Sequence, residues 1–324
     1  MDYMFYMTFF PHLVAGPIVR ARDFLPQLKK NKIKIDRDNI DAGLALIFKG
    51  LLKKSIIADY LAQYNDLVFA APSHYSGFEN LMAMYGYAIQ IYCDFSAYSD
   101  MAIGIAWLMG YYLKENFNNP YRAVNITDFW RRWHISLSSW LRDYIYIPLG
   151  GNRKGENYQY LFLMMTMLVG GLWHGANWKF VWWGGMHGAA LVAHKLYLKH
   201  WAPRVPDRKI FTWLSWFITF HFVAVLWLFF RADSFGLAMD CLGKIVTDPN
   251  FSFLGPFLQA RGLFILILLL GFVLHFVNQP ARAFLYKAFS ESPLFAKALF
   301  FICLVQVVLQ MKSATVQPFI YFQF

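Results

Sequence analysis

Charge is what this sequence has little of. Only 15% of its 324 residues are Asp, Glu, Lys or Arg, against 58% hydrophobic. An ordinary water-soluble domain carries about a quarter charged residues, so that class is excluded. Acidic residues are the scarcer kind, 19 against 30 basic, leaving a net charge of +11. Nucleic-acid binding does not explain the excess, because the Lys and Arg residues crowd into short segments between long apolar runs. That distribution is the positive-inside pattern of a membrane protein, and it also leaves basic loops able to receive an anionic ligand. The three cysteines, Cys93, Cys241 and Cys303, are far apart in apolar or amphipathic stretches without metal-ligand spacing, and are read as small core residues. There is no P-loop, GxGxxG, GxSxG or HExxH, and no histidine pairs with Cys or carboxylate at ligand spacing. Phosphate-cradling, dinucleotide, nucleophile-elbow and zinc-protease chemistries therefore have no sequence support, and no metal is expected.

What is present is aromatic and apolar. Phe, Trp and Tyr make up 20% of the chain, as suits rings that face lipid or sit in interfacial belts. The first twenty residues lack a basic start and a small-residue cleavage site. Pro11 and Pro17 interrupt their apolar run, which predicts a short, broken or re-entrant segment. Basic sequence follows from Arg20 to Arg37. Residues 41–70 alternate apolar turns with Lys49, Lys53 and Lys54, predicting helices at the interface. Residues 81–113 hold Asp94 and Asp100 in an apolar region long enough for one tilted helix or two short ones. Runs over 159–176, 178–198, 210–230, 262–278 and 295–311 read as spans. The 195–209 loop, with Lys195, Lys199, Arg204, Arg208 and Lys209, is placed in the cytoplasm, and the acidic 232–260 loop outside. No linker or repeat divides the chain. The prediction is an all-α polytopic membrane protein with one domain over residues 1–324.

Three segments combine polar chemistry with apolar surroundings. In FWRRWHISLSSWLRDYIYIPLGG, residues 129–151, a helix at 100° per residue puts Trp130, Trp133, Leu137, Trp140, Leu141 and Tyr144 on one face. His134 falls at the edge of that face, and Arg131, Ser138 and Arg142 form a polar stripe with Asp143 further round. Pro148 and Gly150–Gly151 end the helix. His134 is either a satisfied core histidine or a titratable ring turned inward. In GGLWHGANW, residues 170–178, His174 follows an apolar run and is flanked by glycines that let a partner approach. A histidine at membrane depth is more often functional than structural. His187, in GGMHG, is read as a helix–helix hydrogen-bonding residue, and His194, His200, His221 and His275 as structural. In YCDFSAYSDMAIG, residues 92–104, Asp94 and Asp100 must face a polar interior or a cavity.

These residues carry a resemblance. FFPHLVAGPIVR, DFSAYSDMAIG, NFNNPYRAVNITDFWRRWHISLSSWLRDYIYIPLGGNRKG, GGLWHGANW and the terminal FIYFQF resemble, in order, the bacterial branch of the membrane-bound O-acyltransferases, and within it the alginate and similar polysaccharide O-acetylation proteins. The resemblance implies a helical bundle with interfacial and re-entrant helices around a tunnel that meets at a histidine, here His174. His134 matches the family's other catalytic position. Trp173, Asn177, Asp94, Asp100, Arg131, Arg142 and Asp143 are then candidates for lining or supporting the tunnel. The resemblance also implies further membrane spans ahead of FFPHLVAGPIVR; this sequence begins almost at that motif, so a fragment or truncated member is expected.

On that reading the protein sits in the inner membrane as a multi-pass enzyme with no bound cofactor. It takes an acyl group from a cytoplasmic thioester, acetyl-CoA or an acylated carrier protein, and hands it to a hydroxyl of an extracytoplasmic acetyltransferase partner serving a polysaccharide. A transporter or channel using the carboxylates and histidines, or a non-catalytic scaffold, is the competing reading. The topology is testable by cysteine labelling. Positions beside Lys29 and Lys199 should react from the cytoplasm and positions beside Asp248 from outside; labelling Lys29 and Asp248 positions from one side contradicts the assignment.

Overall fold

The computed structural model describes residues 1–29, 35–202, 208–311 and 319. Among them every regular element is a helix, the arrangement that satisfies backbone polar groups within each segment when water is absent. The chain opens with α1 (Asp2–Thr8), α2 (Ala21–Leu28), α3 (Arg37–Leu51), α4 (Asp59–Ala70) and the long α5 (Gly77–Leu108). The short α6 (Ile126–Arg132), α7 (Ile135–Leu141) and α8 (Ile147–Leu149) follow, then α9 (Glu156–Trp173) and α10 (Trp178–His200). The remainder is α11 (Lys209–Arg231), α12 (Phe235–Thr247), α13 (Leu254–Phe276), α14 (Gln279–Glu291) and α15 (Leu294–Met311). Arg204 of the basic 195–209 loop and most of the terminal FIYFQF lie outside the described residues, as does part of the basic 20–37 segment.

Three helical segments are long and apolar enough to cross a membrane: Lys209–Arg231, Phe251–Phe276 and Leu294–Met311. Side chains such as Leu266, Val273, Phe295 and Ile302 stand exposed along the last two, a surface that water would not tolerate but lipid would cover. Cys303 is among the exposed residues of α15 rather than in the core; hydropathy alone does not separate a lipid-facing position from a packed one. The runs over 159–176 and 178–198 fold as α9 and α10 but do not join the set of candidate spans. α10 carries Lys179, His187, His194, Lys195 and Lys199, which dilute its apolar character. The 232–260 loop is also partly helical: Ser234 Oγ accepts from the Leu237 N–H at 3.2 Å and starts α12.

By contacts the chain divides into two compact units. The first holds Met1–Tyr64, Gly86–Asn116 and the described residues from Leu258 onward. Here Lys49, Lys53 and Lys54, on helices predicted to lie partly at the interface, neutralise carboxylates. Lys53 Nζ is 2.5 Å from Asp100 and 2.7 Å from the Ser96 hydroxyl, Lys49 is 3.2 Å from Asp100, and Lys54 bridges Asp94 at 2.7 Å and Asp59 at 2.8 Å. A π-helical stretch over Leu52–Ala58 carries two of these lysines. Lys297 and Asp41 make a second buried pair. Unpaired, such charges cost several kcal/mol each away from water, so acidic helix and basic helix have to be read together.

The second unit comprises Asn65–Tyr85 and Phe117–Phe257. Its most extensive helix pairing joins α9 to α10. A Cβ at Gly171 would lie 2.2 Å from the Phe180 carbonyl oxygen, and one at Gly184 would lie 2.3 Å from that of Met167. Only glycine permits the two backbones to meet there. Replacing Gly184 by leucine should therefore separate the helices, costing about 1–3 kcal/mol or more as overpacking does. A Gly184→Leu protein melting with the parent in detergent would show that the contact is dispensable.

Candidate functional site

The single helix predicted over residues 129–151 is broken in the middle. α6 ends at Arg132, Trp133 turns extended, and His134 takes the left-handed conformation at φ 43° and ψ 55° before α7 begins. For a residue with a Cβ that conformation is disfavoured by roughly 1–2 kcal/mol, so surrounding contacts must hold it. The Trp133 N–H still donates to the Phe129 carbonyl at 2.8 Å, and the Ser138 N–H to the His134 carbonyl at 2.9 Å. Trp133 also packs against Phe117, Phe129 and Trp227, with centroids 5.1, 5.8 and 4.8 Å away. The bend withdraws His134 until only 3% of it is exposed. Beyond α7, a π-helical turn over Arg142–Tyr146 rotates Tyr144 out of the predicted apolar face, and it is exposed.

His174 sits where α9 stops. Its backbone N–H donates to the Gly171 carbonyl at 3.0 Å, and the Gly175 N–H donates to that of Leu172 at 3.1 Å. Asn177 then starts α10 by accepting from the Lys179 N–H at 3.0 Å through its side chain. The imidazole is walled by Trp173, Trp183 and Phe230 at centroid distances of 5.0, 5.3 and 5.1 Å. Trp173 also lies 6.1 Å from His134. One indole thus touches both imidazoles, although 40 positions separate them in the chain.

Burial lowers the pKa of both rings, and for His134 the nearness of His174 adds to the effect. The physical causes are loss of water around the charged form and repulsion between two imidazolium ions. Both rings are therefore neutral near physiological pH. Each offers a nitrogen lone pair to a proton donor, and Ser136 Oγ lies 3.4 Å from His134 Nδ1. Histidines able to accept a proton inside an apolar, aromatic enclosure suit general-base chemistry on a hydroxyl.

The other residues singled out from the sequence are dispersed. Arg131 is exposed at the end of α6. Arg142 and Asp143 pair with each other at 2.7 Å. Asp94 and Asp100 belong to the first unit and are engaged by lysines. His194 and His221 contact the hydroxyls of Thr127 and Tyr85, each at 2.8 Å. His187 departs from its predicted role: it is wholly buried, and among the described residues neither ring nitrogen has a hydrogen-bond partner. Trp183, missed from the sequence, lies against both His174 and His187, the latter at 4.6 Å. The signal was its position four residues before His187, which places both on one face of α10.

The comparisons with known proteins bear on this enclosure. The family profile described as MBOAT, membrane-bound O-acyltransferase family, matches residues 1–231, which include both histidines. The chain is 45% identical over 247 residues to a peptidoglycan O-acetyltransferase of Helicobacter pylori, covering 76% of this chain and 46% of that protein. It is 37% identical to a Pseudomonas putida protein named "Probable alginate O-acetylase AlgI", covering 100% of this chain and 69% of that one. With a teichoic acid D-alanyltransferase of Bacillus subtilis it shares 32% identity, over 72% of this chain and 61% of that one. The chain thus spans about half the length of the Helicobacter relative and somewhat more of the other two.

The depressed imidazoles make stability depend on pH in one direction. Below about 6.5 the unfolded chain binds protons that the folded one refuses. Stability is complete above that pH and is lost as pH falls through it toward the folded values. His134→Gln should therefore make the decline of Tm between pH 7 and pH 5 shallower than in the parent. An unchanged slope would mean that His134 is not held neutral by the fold.

Proposed function

Because the chain belongs to the membrane-bound O-acyltransferase family, we propose that it is an O-acyltransferase. In this reading it moves a short acyl group, acetyl, from a cytoplasmic thioester to a hydroxyl that serves extracytoplasmic polysaccharide O-acetylation. The observation that carries the reading is the pair of imidazoles, buried His134 and half-buried His174, sharing the Trp173 indole. The relatives' names, peptidoglycan O-acetyltransferase and alginate O-acetylase, support the acetyl group and the polysaccharide. The Bacillus subtilis relative, at 32% identity, is named for a different acyl group, D-alanyl.

In this mechanism His174 is the general base. Its neutral nitrogen takes the proton as the acceptor oxygen attacks the thioester carbonyl carbon; the carbon–sulfur bond then breaks and the departing thiolate recovers the proton. His134 orients the donor or shares the proton transfer. Trp173 keeps the two rings in register, and the apolar walls limit the water that would hydrolyse the thioester. The donor is acetyl-CoA or an acylated carrier protein, both anionic, and the basic Arg20–Arg37 and Arg131–Lys154 segments each offer a basic surface on the proposed cytoplasmic side. No cofactor takes part. The acceptor is a hydroxyl on an extracytoplasmic acetyltransferase, and the site is the inner membrane, crossed more than once. The transporter reading draws less support, because the carboxylates that would carry ions are tied to lysines.

Removing a general base typically costs about 10²–10⁴-fold in rate. His174→Ala should therefore lose polysaccharide acetylation at matched levels of folded protein, and His134→Ala should lose less. Full activity in His174→Ala would return the scaffold and transporter readings to first place. Charge reversal at Arg131 or Arg142 should raise donor KM more than it lowers kcat, in a manner that weakens with salt. A donor KM indifferent to ionic strength would argue against basic docking.

A further inference from the structure

Three polar groups, one of them packed against His174, have hydrogen-bonding capacity that the described residues do not use. The side-chain nitrogens of His187, Trp130 and Trp183 are all buried, and among the described residues none has a hydrogen-bond partner. Their rings are close. His187 lies 4.6 Å from Trp183 and 5.0 Å from Trp130, and the two indoles lie 5.8 Å apart. Leaving one such group unsatisfied costs roughly 1–3 kcal/mol, so three gathered together need a reason.

The chemistry of the groups narrows what they await. An indole N–H only donates, and a neutral imidazole has one donor and one acceptor nitrogen. The cluster thus has more donors than acceptors even if its members paired. It lacks an acceptor. Phe129 and Phe222 close the other sides, 6.1 and 5.8 Å from His187. A charged ligand would be stripped of water against those rings at high cost, so the fitting partner is an uncharged oxygen with two lone pairs. Trp183 is also 5.3 Å from the His174 ring, so the cluster borders that imidazole through one of its own indoles.

We propose that the indole N–H groups of Trp130 and Trp183, with the His187 imidazole, form a seat for the carbonyl oxygen of a short acyl thioester. The inference rests on the acyl-transfer reading above and adds the residues that hold the acyl group. When the acceptor oxygen bonds to the carbonyl carbon, its proton passes to His174 and the carbonyl electron pair moves onto the seated oxygen. The N–H donors stabilise that charge better than they stabilise the neutral carbonyl, which lowers the barrier. Collapse returns the pair, breaks the carbon–sulfur bond and releases the thiolate, which takes up the proton. The aromatic walls favour an acyl group of few carbons.

The test uses the full chain and S-acetonyl-pantetheine labelled with ¹³C at its ketone, a non-transferable mimic of the arm shared by coenzyme A and carrier proteins. Isotope-edited infrared spectra should show the bound ketone at a frequency lowered by hydrogen bonding. In Trp183→Phe, which keeps a ring and deletes the N–H, the band should move up. Loss of one such donor costs about 10²–10³ in kcat at established oxyanion sites; here kcat for acetyl transfer should fall at least about 10-fold with donor KM changed far less. Trp130→Phe and His187→Asn repeat the measurement if the first variant folds poorly. A ketone band that is the same in parent and variants, or not lowered in the parent, overturns the seat and leaves it holding water only. A parent that binds the ketone with a lowered band but transfers no acetyl fails the functional reading and not the seat.

Discussion

The contact on which the candidate site depends is the backbone crossing at Gly171 and Gly184. Because neither residue has a side chain, α9 and α10 meet at main-chain distance, and the heights of everything beyond the crossing are fixed by it. His174 lies three residues past Gly171 at the end of one helix. Trp183 and His187 lie one residue before and three after Gly184 on the other. The rings consequently converge, with Trp183 5.3 Å from His174 and 4.6 Å from His187. The arrangement places positional control in packing, where dispersion and close approach act over many atoms at once.

The two units deal with buried polarity by opposite means. In the first, carboxylates on α5 meet lysines from α3 and the π-helical stretch after it, so charge cancels charge. In the second, the titratable rings stay neutral, surrounded by Trp, Phe and one another. A salt-bridged network of the first kind contributes specificity of packing at a high desolvation cost. A neutral aromatic enclosure keeps its groups chemically available. The acyl-transfer reading requires the second arrangement around the histidines.

Much of the architecture was legible in the sequence. Apolar runs located α11, α13 and α15, and glycine flanks marked His174. Other features were hidden for specific reasons. The pairing of Lys49, Lys53 and Lys54 with Asp94 and Asp100 was hidden because the partners lie 40 to 51 residues on, and pairing across that distance leaves no local pattern. The break at His134 was invisible because neither Gly nor Pro marks it; tertiary packing of Trp133 imposes it. The loss of periodicity at Arg142–Tyr146 follows from a π-helical turn, which shifts every later side chain relative to a 100° wheel. His187 was assigned a hydrogen bond because buried polar groups normally have one, and its failure to make one within the fold is informative in itself.

The left-handed backbone at His134 has a consequence for interpreting substitutions there. Any replacement changes two things together, the chemistry of the ring and the strain of the bend. Glycine relaxes the bend and empties the site. Alanine empties the site and keeps the strain without the packing that held it. Asparagine tolerates the left-handed region better than most residues and keeps a polar side chain, so it separates backbone geometry from basicity. Position 134 thus sets both the angle of the bend and the ring placed in the enclosure, and one residue encodes both.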